Sequence, residues 1–250
     1  MTSKELIQEE QYNFPYHHLT HEQKGGLFIF RHLFWGLEHY TYIKFVIDKI
    51  STESFRTFAD VGCGEGRILT ELALRLGDTK LFGYDISEAA LHFARGFTNI
   101  PSFKIHDITQ TALAVTVDGI VSCEVIEHIK PEQVGDYCKN IAASLNDGGL
   151  FFMTTPTTNI PVNTKHYQHF TKESLTHHLS PYFTIEEIVF LNQVNFFNKV
   201  LNRIIANRFF LSNIPTLNRW VLTTYRKHLL IVTETTGSRI YIKARKKGLI

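Results

Sequence analysis

An α/β fold built on a parallel sheet with helices on both faces is what this sequence predicts, and three observations carry it. Short apolar runs alternate with helix-length segments, the pattern of strands joined by crossover helices. A glycine-rich turn, Asp60-Val-Gly-Cys-Gly-Glu-Gly-Arg67, joins the first run to the helix-patterned stretch Arg67 to Leu76. Acidic residues Asp60, Asp85, Asp107 and Glu124 fall at the carboxyl ends of successive runs, where sheets of this kind hold their ligands.

Residues 1–54 are helix-patterned and aromatic-rich, with Phe34, Trp35, Tyr40 and Tyr42 close together, and are expected to cap the site. Strands are expected at 56–61, 80–85, 102–106, 118–124 and 149–155. Ser87 is the N-cap of a helix running from Glu88. Pro131 opens another, which should run to Leu145 and stop at Asn146-Asp-Gly-Gly149.

Glycines at 62, 64 and 66 let the backbone bend sharply and approach a ligand closely. A dinucleotide fingerprint would need glycine at position 67, where Arg67 stands, and no G-K-[S/T] follows to cradle phosphates. The spacing therefore argues against NAD and ATP.

From about residue 55 to about 180 the chain resembles the class I S-adenosylmethionine (SAM) dependent methyltransferases. The glycine turn is similar to their first motif, Gly83-Tyr-Asp-Ile86 to the second and His106-Asp-Ile108 to the third. The resemblance implies that Asp85 accepts both ribose hydroxyls and that Asp107 lies near the adenine amino group. The cofactor residues it carries over are Asp60, Gly62, Gly64, Gly66, Asp85, Ile86, Asp107, Ile108 and Glu124. It also implies a seven-stranded Rossmann-like sheet, with Phe183 to Leu191 and an antiparallel Arg239 to Arg245 completing it. The expected organisation is a cap at 1–54, the core at 55–191, a helical insertion at 192–236, and the last strand with a basic tail at 237–250.

Chemistry beyond cofactor binding is expected in Glu124-Val-Ile-Glu-His128. If a helical turn begins there, Glu124, Glu127 and His128 share one face, a plausible set of ligands for Mg²⁺ or another divalent cation. Ubiquinone-biosynthesis O-methyltransferases and small-RNA 2′-O-methyltransferases have E-x-x-E-H here. The second of these adds a downstream histidine, for which His169 or His166 would serve. Without metal, an acceptor hydroxyl needs a base, for which His128 is the first choice and His169 the second. The His17-His18 pair is a further candidate for lining the cap.

Composition is that of a globular protein, 44% hydrophobic and 20% charged, without repeats. The polar N-terminus lacks a secretion signal and no apolar stretch approaches the roughly 18 residues of a membrane span, so a cytoplasmic protein is expected. Cys63, Cys123 and Cys138 fit neither a zinc ribbon nor a disulfide framework and read as reduced. Charge is uneven: from Ile188 onward there are 11 Lys or Arg and one acid, Glu234, whereas the preceding residues hold 15 basic and 23 acidic residues. Such asymmetry suggests an anionic partner. Residues 196–211 form an amphipathic helix with a basic face, which could lie on a membrane, on the sheet or on a twin subunit. The expected activity is methylation, on oxygen, of a small-molecule, lipid-linked or sugar-type acceptor. RNA 2′-O-methylation and a non-catalytic SAM-binding regulator are the alternatives.

Overall fold

The computed structural model describes residues 3–10, 12, 17, 21–23, 26–28, 36–100, 102–205 and 214–248. Helix α1 (Ser3–Glu10), a small hairpin of β1 (His21–Gln23) and β2 (Gly26–Phe28), and helix α2 (Gly36–Ile50) precede the main sheet. That sheet contains β3 (Thr57–Val61), β4 (Lys80–Asp85), β5 (Phe103–Ile105), β6 (Val117–Cys123), β7 (Leu145–Pro156), β8 (Phe183–Gln193), β9 (Ile231–Val232) and β10 (Gly237–Lys246). Their spatial order is β5-β4-β3-β6-β7-β10-β8-β9, parallel from β5 to β7, with β10 antiparallel to both its neighbours. The chain starts in the middle, moves outward to β5, then crosses to the other side of β3. This reversal leaves a crevice at the carboxyl ends of β3 and β6.

Strand periodicity divides the interior into two apolar layers. Phe58, Phe152 and Tyr241 face one layer, while Ala59, Phe151, Met153, Ile240 and Ile242 face the other. Helices α2, α3 (Arg67–Ala73), α4 (Glu88–Phe97), α7 (Phe196–Ile205) and α8 (Pro215–His228) contribute to the first; α5 (Val134–Ala143) and α6 (Lys172–Leu179) contribute to the second. Ser87 caps α4 as expected, its hydroxyl accepting from Ala90 N at 3.1 Å.

Several local expectations are corrected. Among the described residues the sheet has eight strands rather than seven, because the two residues of β9 pair with Phe190 and Leu191 at the edge of β8. The Asn146 to Gly149 stop is absorbed into β7, whose pairing with β6 is irregular between Val117 and Gly119. Pro131 opens a single 3-10 turn before α5 begins at Val134. In α7, Asn198, expected on the outward polar face of the amphipathic helix, faces inward and donates to Glu38 Oε1 at 2.7 Å, while Leu201 on the apolar face is fully buried as expected. Phe34, Trp35, His18 and residues 206–211 lie outside the described residues.

Part of the charge asymmetry is neutralised within the fold. Lys243 pairs with Glu53 at 2.6 Å and Glu186 at 3.3 Å, Arg245 with Glu186 at 2.5 Å, and Lys246 with Asp147 at 3.6 Å. The basic last strand thus meets acids supplied by the earlier, acidic part of the chain. No described helix is long and apolar enough to cross a membrane.

Candidate active site

The glycine turn bends over the carboxyl end of β3. Gly62, Gly64 and Gly66 have φ of 79°, 51° and 75°, the left-handed region that side chains disfavour. Gly62 N and Cys63 N both donate to Tyr84 O, at 2.7 and 3.0 Å, tying the turn to the neighbouring β4. A Cβ on Gly62 would stand 2.2 Å from Val125 Cγ2, so the turn and the segment after β6 pack directly on one another.

At the tip of β4, Asp85 is buried, with Oδ2 accepting from Gly64 N at 2.7 Å and Oδ1 from Ser87 N at 2.9 Å. Burial raises its carboxyl above the usual range, and those N–H donors oppose the shift. Each oxygen keeps acceptor capacity for a ligand hydroxyl. A cavity of about 340 Å³ opens here, lined by Gly62, Asp85, Ile86, Asp107, Ile108 and Glu124 among others. Ile86 is 65% exposed at its wall, an apolar side chain placed where a flat ring could cover it. Asp107 is held by Thr109, whose N and Oγ1 donate to Oδ1 at 2.9 and 2.7 Å.

Asp60 is 1% exposed, and neither carboxylate oxygen has a hydrogen-bond partner among the described residues. Burial, then the charge of Asp85, raises its carboxyl well above the usual range. Glycine bend, strand-tip carboxylate and apolar wall together fit the nucleoside of SAM.

The Glu/His segment is not a continuous helical face. Glu124 has φ of 56°, and a 3-10 turn occupies Ile126–His128. Glu124 is consequently directed to Thr154 Oγ1 and Arg239 Nε, each at 3.0 Å. The residues brought together are Glu127, His128 and His166, with one potential ligand atom from each lying within 4.8 Å of the others. His169 stands behind this group, its Nε2 2.8 Å from His166 Nδ1 and its Nδ1 3.0 Å from Ile160 O.

Glu127 is fully buried; Oε2 accepts from Thr155 Oγ1 at 3.1 Å, while Oε1 has no partner among the described residues. Its carboxyl is pushed well up by burial and by the charge of Glu124. Burial lowers His128 to about 4, with Lys165 adding to the effect. His166 is lowered to about 3, again by burial first. Both imidazoles are therefore neutral near pH 7, as metal ligands must be.

Helix α1 lies against the loop that carries these histidines. Lys4 Nζ donates to the carbonyls of Thr164 and His166 and sits 5.1 Å from the Tyr167 ring centroid. The Tyr12 hydroxyl lies 3.2 Å from where a Cβ on Gly64 would be, and His17 N donates to the buried Glu65 at 3.0 Å. Sequence reasoning missed Glu65 and Arg239 as parts of this region. An arginine next to the apolar Ile240-Tyr-Ile242 at the start of the last strand was the available signal for the second.

Residues 58–149 match the model of a family described as a methyltransferase domain. A probable fatty acid methyltransferase of Pseudomonas putida is 31% identical over 97 residues, covering 36% of this chain and 24% of the relative. The chain therefore spans about a quarter of the length of that curated relative. Among solved structures, magnesium protoporphyrin IX methyltransferase from Synechocystis PCC 6803, with bound S-adenosylhomocysteine (SAH), superposes with a TM-score of 0.59 at 14% identity, covering 98% of this chain and 95% of that one. The N-methyltransferase NodS from Bradyrhizobium japonicum, in complex with SAH, gives 0.57 at 16% identity, covering 86% and 88%. The family match is thus confined to residues 58–149, and the fold is one that the chain shares with these two SAH-bound methyltransferases.

Proposed function

We propose that the chain transfers the methyl group of SAM to an oxygen of a small-molecule, lipid-linked or sugar-type acceptor. The observation carrying this reading is a single cavity lined both by the cofactor elements, Gly62, Asp85 and Ile86, and by His128, which stands beside the buried Glu127 and His166. SAM is the methyl donor. Its sulfonium is an excellent leaving group, so this chain's task is to align acceptor oxygen, methyl carbon and sulfur and to exclude water. Asp85 and the glycine turn fix the nucleoside, while Ile86 and Ile108 supply the apolar wall.

Removal of the hydroxyl proton has two routes. A histidine lowered to about 4 is a weak base at neutral pH, which disfavours unaided proton abstraction by His128. The same neutrality favours ligation by His128 and His166, and a divalent cation would draw the raised carboxyl of Glu127 into its ionised form, so the three would hold the ion, with His169 orienting His166. When bound, the ion would lower the pKa of an acceptor hydroxyl. Assignment of His166 rather than His169 to direct ligation follows from its position in the cluster, and Glu124 is left to Arg239.

Labelled SAM offered with hydroxyl acceptors from each class, in Mg²⁺ or Mn²⁺ and in chelator, tests the proposal. Fatty-acid-derived acceptors belong in that set because of the Pseudomonas relative. Methyl transfer to oxygen that chelator suppresses, with H169A losing about 10- to 100-fold in metal affinity or activity and H166A and E127Q losing more, is the expected result. Chelator-insensitive turnover would remove the metal, methyl appearing on nitrogen or carbon would remove the oxygen assignment, and SAM binding without transfer to any class would favour a regulator.

A further inference from the structure

Arg239 on β10 lies outside the cofactor motifs yet holds Glu124, which lines the cavity. Its side chain is largely buried, with Nε 3.0 Å from Glu124 Oε2, Nη1 3.8 Å from Glu38 Oε2, and the guanidinium 4.6 Å from the Tyr42 ring centroid. One cation thus joins the segment after β6 to helix α2. Through Glu38 the contact extends to the insertion, because Asn198 of α7 donates to Glu38 Oε1 at 2.7 Å.

Glu124 is a non-glycine residue at φ 56°, a conformation that persists where surrounding contacts enforce it. Three contacts do so: Glu124 N donates to Thr154 O at 2.9 Å, Thr154 Oγ1 donates to Oε1 at 3.0 Å, and Arg239 Nε donates to Oε2 at 3.0 Å. The next residue, Val125, fills the space directly over Gly62, so the backbone at 124 determines what presses on the cofactor turn.

We propose that Arg239 is a positioning residue for the SAM site: by clamping Glu124 in a left-handed conformation it seats Val125 on the Gly62 turn. This links the cap and insertion, where an acceptor would be met, to the cofactor. The inference rests on the reading of the cavity as a SAM site. Arg239 touches no cofactor group in this scheme and acts through the backbone of another residue.

Glycine at 124 distinguishes positioning from general support, because it adopts positive φ freely and makes the clamp unnecessary. SAH affinity would be measured by calorimetry for the wild type, R239M, E124G and the double variant, with thermal melts to establish folding. The expected pattern is about tenfold weaker binding for R239M in the wild-type background and less than about twofold further loss when the same change is made in E124G. R239K should fall between, since an ammonium cannot reproduce the guanidinium fork. Equal losses in both backgrounds, or a lowered melting point with SAH affinity unchanged, would overturn the proposal. Should R239M fail to fold, R239K measured in the two backgrounds makes the same comparison. Failure of the wild type to bind SAH would instead refute the underlying cofactor reading.

Discussion

Individual positions in the glycine turn are constrained by space as much as by backbone angle. Gly62 combines φ of 79° with a virtual Cβ 2.2 Å from Val125, so G62A must both strain the backbone and displace a packed side chain. Together these cost about 2–4 kcal/mol, and the expected result is a lower melting point and loss of SAH binding. Normal melting and affinity in G62A would show that Val125 does not press on this turn. That Gly62 and Asp85 lie at one cavity was legible in the sequence because their placement is local: a bend without side chains, and an acid at the end of an apolar run. The histidine pairing was not legible. His166 and His169 are three residues apart on a loop without periodicity, and their order of approach depends on how His169 Nδ1 meets Ile160 O.

Among the elements, strand positions were readable because strands covered on both faces are buried almost continuously and so stand out as short apolar runs. Boundaries that depend on tertiary pairing were not, and β7 shows why. Asn146-Asp-Gly-Gly149 has the composition of a helix stop, but Asn146 Nδ2 donates to Asp118 Oδ1 at 2.7 Å and keeps the segment alongside β6. Asp118 Oδ2 also accepts from Arg56 N at 2.9 Å and Thr57 N at 3.1 Å, fastening the start of β3. Burial pushes this carboxyl up, but the Asn146 amide and the two backbone donors outweigh it, and the net shift is downward. A carboxyl held below its unfolded value stabilises the fold above that value and loses the contribution as pH falls through the lowered one. D118N should therefore melt below the wild type at pH 7, with the gap closing below about pH 4. A gap independent of pH would mean that the ionised form is not what these donors hold.

Across the whole molecule, the basic last strand and the amphipathic insertion suggested an anionic partner, yet both have internal roles. Arg239, Lys243, Arg245 and Lys246 meet acids of the core and cap. Leu201 is fully buried in the apolar layer that also holds Tyr225 and Tyr241, and Ile204 packs against it. Sequence amphipathicity identifies an apolar face without naming what covers it, since sheet, subunit and membrane present the same hydrophobic demand. We propose that packing on the body of the protein is the role of this helix. L201A is then expected to lower stability by about 2–5 kcal/mol in denaturant titrations. Flotation with anionic vesicles should leave the wild type in the soluble fraction, and co-flotation would revive the membrane alternative.

Asp85 and the glycine turn are proposed to hold the nucleoside of SAM, and calorimetric titration of SAH into the wild type and D85A is the decisive measurement. Measurable binding by the wild type and a loss of about 1–3 kcal/mol for each buried ribose hydrogen bond removed in D85A are expected. Equal SAH affinity in the two proteins, with D85A still folded, would contradict it.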